Sequence, residues 1–278
     1  MNPASDSTIS VVVGATSGIG REVAIRLARR GRVAFVGRRR DVADELAREI
    51  GPAAVVATCD LSERSAIDQL ARQFPRLGAL VVTAAASPQS ASPEEIIQVN
   101  LAGLARIVEG FGTAVADGSV GVCFSTITAH RESPSPELLR VLDDPLRPTL
   151  FDDLVALSPG LASDSGLAYR ISKVGARRLC DRKAVEWGAR GGRFVCVTPG
   201  VIETPMTARS QRERPEFMAE LTRSTPLGRI GRPQEIAAVV DFLCSPEGSY
   251  VTGSELVVDG GYLARQRWNA DLGKRQDD

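Results

Sequence analysis

Tyr169 and Lys173 are of types, and at a spacing, that could support proton transfer. Residues four apart share one face of a helix, so the lysine ammonium can reach the phenol oxygen. A free tyrosine has a pKa of about 10, and a nearby positive charge favours the phenolate and brings that pKa toward neutrality. The pair is therefore a candidate general acid–base, although this spacing is common by chance.

A glycine-rich turn near the N-terminus could cradle phosphate. A short apolar stretch, Ile9 to Val13, predicts a buried strand, and it runs through Gly14-Ala15-Thr16-Ser17-Gly18-Ile19-Gly20 into a helical pattern. Glycines let the backbone approach a pyrophosphate, and the free N–H groups of the first helical turn face it. The spacing predicts a dinucleotide site, and a tight turn that binds no ligand is the alternative.

Together these motifs resemble those of the short-chain dehydrogenase/reductase family. The resemblance extends from about Ile9 to Tyr262 and includes further landmarks in the family's order. These are Asp60-Leu61 after the third strand, Asn100 in its helix, the loop from Pro199 to Met206, and a C-terminal third from Pro226 to Gly261.

The resemblance implies a role for each matching residue. Tyr169 would be the general acid in carbonyl reduction and the base in the reverse direction. Lys173 would lower the Tyr169 pKa and hold the nicotinamide ribose. Thr126 would hydrogen-bond the substrate oxygen, and Asn100 would hold a water that connects Lys173 to solvent. The implied cofactor-binding residues are Gly14, Thr16, Ser17, Gly18, Ile19, Gly20, Arg38, Arg39, Asp60, Leu61, Ala85, Tyr169, Lys173, Pro199, Gly200, Ile202 and Thr204.

The end of the second predicted strand bears on which dinucleotide binds. When the ligand is NAD, an acidic residue there holds the ribose 2′-OH. Here Gly37 stands in that place and is followed by three arginines, Arg38 to Arg40. A carboxylate would repel a 2′-phosphate, whereas guanidinium groups bind one through charge-assisted hydrogen bonds. The sequence predicts NADP(H) rather than NAD(H), and a solvated arginine turn is the alternative.

Composition excludes several classes of function. Lys+Arg and Asp+Glu balance at 34 each, which argues against a nucleic-acid partner. No apolar run reaches membrane-spanning length, and Met1 to Ser10 does not have the layout of a signal peptide. Five cysteines without a Cys-x-x-Cys pair indicate reduced thiols in a cytoplasmic protein. The single histidine, His130, leaves little material for a metal site or a Ser-His-Asp triad.

Short β-rich runs alternate with helical patterns along the chain. Strands are expected near Val11, Val33, Val55, Val81, Val122, Val195 and Val257. This alternation predicts an α/β fold, a single-domain Rossmann-type doubly wound parallel sheet of about seven strands with helices on both faces. Residues 1–278 are read as one NADP-binding domain, with an insertion at 131–166 and a C-terminal tail at 265–278.

Two positions depart from the family's pattern near the expected site. The Asn-Asn-Ala-Gly that usually ends the fourth strand is Thr83-Ala84-Ala85-Ala86, which lacks the Asn thought to steady the sheet and the glycine's backbone freedom. The catalytic serine position falls on Thr126, whose hydroxyl has the same hydrogen-bonding capacity. Ser125 is the alternative, but neighbours on a strand point to opposite faces.

About 30 extra residues separate Thr126 from Tyr169. Leucine and phenylalanine spacings around Leu138 to Leu142 and Leu150 to Leu157 predict two short amphipathic helices in this insertion. Loops of this length inside a domain are usually lids or binding surfaces. A lid over the cleft and a surface elaboration that packs on the body or blocks an oligomer contact remain equal alternatives.

The sequence therefore favours an NADP(H)-dependent oxidoreductase that acts on a small-molecule carbonyl or secondary alcohol. Reduction of a cyclic imine at the same site is one alternative. A catalytically silent NADP-binding sensor or scaffold is another. The resemblance also implies a homodimer or homotetramer assembled through the helices that carry Asn100 and Tyr169 and through the C-terminal segment.

Overall fold

The computed structural model describes residues 8–61 and 63–276, with side chains described as far as residue 269. Seven strands form one parallel sheet in the order β3-β2-β1-β4-β5-β6-β7. Their bounds are Ile9–Val13 (β1), Val33–Gly37 (β2), Ala54–Thr58 (β3), Leu77–Val82 (β4), Val120–Phe124 (β5), Arg193–Pro199 (β6) and Glu255–Val258 (β7). All seven expected strands are present, and the Rossmann-type prediction is confirmed.

Helices connect the strands and cover both faces of the sheet. The α-helices are Gly18–Leu27 (α1), Arg40–Ile50 (α2), Arg64–Gln73 (α3), Pro93–Ile97 (α4), Leu104–Gly110 (α5), Pro136–Leu142 (α6), Leu150–Leu157 (α7), Ser165–Gly188 (α8), Pro205–Glu213 (α9), Pro215–Arg223 (α10), Pro233–Leu243 (α11) and Tyr262–Gln276 (α12). A π-helix, Gln98–Gly103, joins α4 to α5. Short 3₁₀ turns include Ile127–Arg131 and Pro159–Ala162.

The core consists of one apolar layer on each face of the sheet. Successive strand residues point to opposite faces, so Val11 and Val13 lie in one layer and Val12 in the other. The first layer is completed by α3, α5 and α8, and the second by α1, α2 and α11. Burial on both faces explains why the strands are continuous apolar runs.

The insertion forms the two predicted helices, α6 and α7. Their buried leucines belong to a third apolar cluster with Ile96, Ile97, Ile171 and Val174 from α4 and α8. The insertion therefore packs on the body of its own chain. It covers α4, which precedes the π-helix, and α8, which carries Tyr169.

The segment expected to be a C-terminal tail is helical through Gln276, as the larger part of α12. Tyr262 and Leu263, at the start of α12, are buried with Met218 and Leu221 of α10 and with Ile127. Residues 1–7 of the expected domain and residues 277–278 of the expected tail lie outside the described residues.

Candidate active site

A cleft of about 760 Å³ opens at the carboxyl ends of the central strands, where ligands bind in open α/β sheets. All of the residues that the sequence predicts for cofactor binding line it. Of the four predicted catalytic residues, Thr126, Tyr169 and Lys173 line this cleft, and Asn100 is not among its lining residues. The fold thus brings together groups that are far apart in the sequence, from Gly14 to Thr204.

The glycine turn is shaped by close approach of backbone to backbone. Gly14 and Gly18 have φ angles of +92° and +53°, which favour glycine. A Cβ on Gly14 would lie 2.6 Å from the Ala84 nitrogen, and one on Gly20 would collide with the Gly14 carbonyl oxygen. The turn therefore leaves space for a phosphate at the N-terminus of α1, and these residues fit a dinucleotide.

Thr83 supports this turn from the neighbouring strand. Its hydroxyl donates to the Val13 carbonyl at 3.0 Å, and the Gly14 carbonyl lies 3.3 Å away. The hydroxyl thus ties the ends of β1 and β4 at the position where the family's pattern has Asn. Sequence reasoning missed this role, although the retained hydroxyl donor of threonine was the available signal.

Asn100 holds the segment after β4 rather than facing the cleft. Its Oδ1 accepts a hydrogen bond from the Ala86 N–H at 2.6 Å, and its Nδ2 donates to the Ala86 carbonyl at 3.1 Å. The residue is 1% exposed and lies in the π-helix, a distortion found often at functional sites. The expected water-holding role stays a prediction, and the structure adds that both ends of the side-chain amide are hydrogen-bonded to Ala86.

Ala86 stands where the family's pattern has glycine, and its backbone does not require one. Among the described residues, no residue other than glycine has a positive φ angle. The backbone at Ala86 therefore needs no glycine, and Asn100 fixes it instead. This departure from the family's pattern leaves the wall of the cleft intact.

The Tyr169 and Lys173 side chains are neighbours, as the helical spacing predicts. The Lys173 Nζ lies 5.7 Å from the centre of the Tyr169 ring and donates to the Phe124 carbonyl at 3.1 Å. Burial raises the pKa of Tyr169 to about 12, and burial also lowers the pKa of Lys173. The expected lowering of the Tyr169 pKa by Lys173 is not found in this arrangement, in which burial shifts the pKa upward.

Ser125 and Thr126 point in different directions, as neighbours on an extended chain do. The Ser125 hydroxyl is buried and donates to the Lys173 carbonyl at 3.0 Å. Thr126 is half-buried at the N-terminus of the 3₁₀ turn, where its Oγ1 lies 3.2 Å from that of Thr128. This arrangement leaves Thr126 as the better candidate for the substrate-binding hydroxyl.

The arginines after β2 lie at one end of the cleft. Arg38 and Arg39 are exposed lining residues, and neither side chain has an ion-pair or hydrogen-bond partner among the described residues. Arg40 does not line the cleft and pairs with Asp44 at 3.6 Å. Two guanidinium groups are therefore available to an anionic ligand beside Gly37.

The segment Pro199 to Thr204 forms the opposite end and is held by the chain beyond it. The Gly200 N–H donates to the Val258 carbonyl at 2.9 Å, and the Glu203 N–H donates to the Gly231 carbonyl at 2.8 Å. Three residues at the start of α9 that were not among the predicted site residues, Pro205, Met206 and Thr207, also line the cleft. The sequence after Glu203 has no motif that could have identified Thr207.

Residues 131–166, all of them described, contribute no side chain to the cleft lining. Of the two alternatives that the sequence left open for the insertion, packing on the body is supported by this arrangement and a lid is not. Among the described residues, no helix is long and apolar enough to cross a membrane. The same residues contain no group of three or more His, Cys, Asp or Glu side chains that could hold a metal ion.

Two family models match the chain, and the gap between their matches falls within the insertion. The model described as short chain dehydrogenase matches residues 8–135, and the one described as enoyl-(acyl carrier protein) reductase matches residues 157–263. Residues 136–156, which include α6 and most of α7, fall between the two matches. The residues between the two matches are thus the middle of the insertion.

Known proteins resemble the chain over nearly its whole length. Galactitol 2-dehydrogenase (L-tagatose-forming) of Cereibacter sphaeroides is 33% identical, over 92% of this chain and 95% of its own. The 3-alpha-hydroxysteroid dehydrogenase of Pseudomonas sp. B-0831, solved with NADH, has a TM-score of 0.74 at 26% identity, covering 94% of this chain and 98% of that one.

An actinorhodin polyketide ketoreductase variant solved with NADPH has a TM-score of 0.73 at 23% identity, over 93% of this chain and 98% of its own, and supports the fold alone. The two structures therefore hold different nicotinamide cofactors in similar folds. The chain belongs to the short-chain dehydrogenase/reductase family, whose members are oxidoreductases that use a nicotinamide cofactor to interconvert alcohols and carbonyls.

Proposed function

We propose that the protein is an NADP(H)-dependent oxidoreductase that transfers hydride between the nicotinamide and a carbonyl or secondary alcohol, with Tyr169 as general acid and base. The observation that carries this proposal is that one cleft is lined by Tyr169, Lys173 and Thr126 and also by the glycine turn. A binding protein that had lost turnover would not need these three groups together.

The chemistry of the three side chains supports a division of labour. When bound, the nicotinamide supplies or accepts the hydride. Thr126 would hydrogen-bond the substrate oxygen and stabilise negative charge as it develops there. Tyr169 would give its proton to that oxygen during reduction and take it back during oxidation. Lys173, held by the Phe124 carbonyl, would bring positive charge beside the Tyr169 ring.

The preference for NADP(H) is supported by the two free guanidinium groups beside Gly37. Each charge-assisted hydrogen bond to a phosphate contributes on the order of 1.5–3 kcal/mol. Arg38→Ala should therefore weaken NADPH binding tenfold or more and leave NADH binding nearly unchanged. Arg40→Ala is the matched control, because Arg40 lies outside the cleft and pairs with Asp44. Equal losses for both cofactors in Arg38→Ala would contradict the preference.

Activity is tested by following NADPH and NADH at 340 nm with ketones, secondary alcohols, polyols and cyclic imines. Polyols belong in the panel because a relative with 33% identity is a galactitol dehydrogenase. Tyr169→Phe deletes one oxygen and keeps the ring, so it should lower turnover by about 10²–10⁴-fold and leave NADPH binding intact. Undiminished turnover in that variant would overturn the mechanism.

We also propose a cytoplasmic homo-oligomer. The free cysteines support a reducing compartment, since Cys59, Cys123, Cys180 and Cys196 are buried and none of the five is in a disulfide. The insertion covers part of the helices through which the resemblance implies assembly, which favours a dimer through the C-terminal segment over a tetramer. Light scattering at working concentration tests this, and a monomer would contradict it.

A further inference from the structure

Gly37, the last residue of β2, does not owe its identity to its backbone conformation. It is absent from the glycines with positive φ, so any L-residue could adopt its backbone. It pairs in register with Thr58 of the edge strand β3, as an ordinary strand residue does. The reason for glycine at this position must therefore lie in the surrounding side chains.

Thr16 fills the space that a side chain at position 37 would need. A Cβ built on Gly37 would lie 2.9 Å from the Thr16 Cγ2 and 3.7 Å from its Oγ1. Carbon atoms pack favourably at about 3.5–4.0 Å, so the methyl group must move before any side chain fits. Threonine is branched at Cβ and restricted in χ1, which limits that movement.

The backbone of the turn that carries Thr16 is also restrained, so it cannot move away from position 37 easily. Thr16 lies between Gly14 and Gly18, and a Cβ on Gly14 would already lie 2.6 Å from the Ala84 nitrogen. Thr83 fixes the same turn through its hydrogen bond to the Val13 carbonyl. The tightly packed glycine turn therefore keeps the Thr16 methyl group close to position 37.

We propose that Thr16 is a specificity-determining residue, because its methyl group excludes an acidic side chain from position 37 and so keeps the Arg38 and Arg39 end of the cleft open to a 2′-phosphate. The inference rests on the NADP(H) preference proposed above. It adds that the preference has a second determinant on the glycine turn, and that an acid at position 37 is accommodated only when the Thr16 methyl is removed.

The steric part is tested without any cofactor, by thermal unfolding of Gly37→Ala, Thr16→Ser and the double variant. Thr16→Ser removes only the methyl and retains the hydroxyl. Gly37→Ala should lower Tm by about 2–6 °C in the wild-type background and by less than about 1 °C in the Thr16→Ser background. Thr58→Ser removes a threonine methyl from the neighbouring strand, and its effect should add to that of Gly37→Ala. Additive Tm changes for Gly37→Ala and Thr16→Ser would overturn the proposal.

The specificity part compares Gly37→Asp with the double variant Gly37→Asp/Thr16→Ser, by fluorescence titration with NADH and NADPH. We expect NADPH affinity to fall in both and NADH affinity to be at least fivefold higher in the double variant than in Gly37→Asp. Equal NADH affinities would overturn the role of Thr16. If the wild-type protein binds both cofactors equally, the NADP(H) preference and the specificity role fail together, whereas non-additive Tm changes would still establish the steric contact.

Discussion

The Lys173 ammonium donates a hydrogen bond to the Phe124 carbonyl at 3.1 Å, and the next residue, Ser125, returns one from its hydroxyl to the Lys173 carbonyl at 3.0 Å. These two bonds join α8 to the end of β5. Because Thr126 follows directly on the same chain, they also restrain the proposed substrate-binding hydroxyl of Thr126 relative to the proposed acid–base pair, Tyr169 and Lys173. The site is thus positioned by two core elements rather than by loops.

The pH dependence of the reaction should reflect the raised pKa of Tyr169. With a pKa of about 12, the phenol stays protonated through the neutral range, and the phenolate fraction grows about tenfold with each pH unit up to pH 10. We therefore expect kcat/KM for alcohol oxidation to rise steadily between pH 7 and pH 10. Carbonyl reduction needs the protonated phenol, so its kcat/KM should stay flat over the same range.

Initial rates in both directions over this range provide the measurement, since kcat/KM reports the ionisation of the free enzyme. A plateau in the oxidation profile above pH 8 would show that the Tyr169 pKa lies near neutrality. In that case the lysine charge, and not burial, would dominate the pKa in the free enzyme.

Replacing Thr126 and Ser125 should affect different properties. Thr126→Ala removes the candidate substrate-binding hydroxyl and should lower kcat/KM by about 10²–10³-fold with little change in Tm. Ser125→Ala removes a buried hydrogen bond and should lower the free energy of unfolding by about 1–3 kcal/mol. Turnover assays and thermal unfolding of both variants separate the two effects. If Ser125→Ala is the more damaging to turnover, the serine position is one residue earlier than proposed.

Gln89 and Ser210 connect the segment after β4 to α9. The Gln89 Nε2 donates to the Ser210 Oγ at 3.0 Å, and α9 has no buried residue that would otherwise anchor it. A hydrogen bond contributes about 0.5–1.5 kcal/mol net. Ser210→Ala should therefore shift α9 toward an open position and raise the dissociation rate of the cofactor by up to about tenfold.

Stopped-flow dissociation of NADPH measures this effect, and single-turnover hydride transfer should stay unchanged. Ser224→Ala is the control, because Ser224 follows α10 and, among the described residues, its side chain bonds only Glu220. The double variant Gln89→Ala/Ser210→Ala should release NADPH no faster than either single variant, because each change already removes the same hydrogen bond. Additive effects of the two changes would show that the side chains act independently.

The sequence predicted the sheet well because apolar β-rich runs and glycine turns are local signals. Burial on both faces makes each strand of a parallel sheet a continuous apolar run, so even the short β7 was found. The cofactor-lining residues followed from the resemblance, and many of them lie just after a strand. The signals for these features lie in residues that are close together in the sequence, within one element or at its end.

Features that depend on contacts between distant segments could not be predicted. The Asn100 amide was expected to hold a water, and nothing in its own helix indicates that Ala86 binds both of its ends. The direction of the Tyr169 pKa depends on burial, which the spacing of Tyr169 and Lys173 does not report. The contact between Thr16 and Gly37 arises only when β2 is placed beside β1.

The insertion should contribute to stability rather than to substrate binding. Leu154 of α7 is 0% exposed and lies in the cluster with α4 and α8, whereas Leu157, one turn later, is 44% exposed. Leu154→Ala should lower the free energy of unfolding by about 2–5 kcal/mol. Leu157→Ala, the matched control in the same helix, should change it by less than about 0.5 kcal/mol.

Kinetics of the same two variants decide between the packing and lid interpretations. Since residues 131–166 do not line the cleft, KM for the best substrate and the Kd for NADPH should match the wild type in both variants below their melting temperatures. A several-fold rise in KM for Leu154→Ala, with NADPH binding intact, would restore the lid. A change of oligomeric state in Leu157→Ala would instead place the exposed side of α7 at a contact between subunits, because that variant removes surface apolar area and leaves the buried cluster complete.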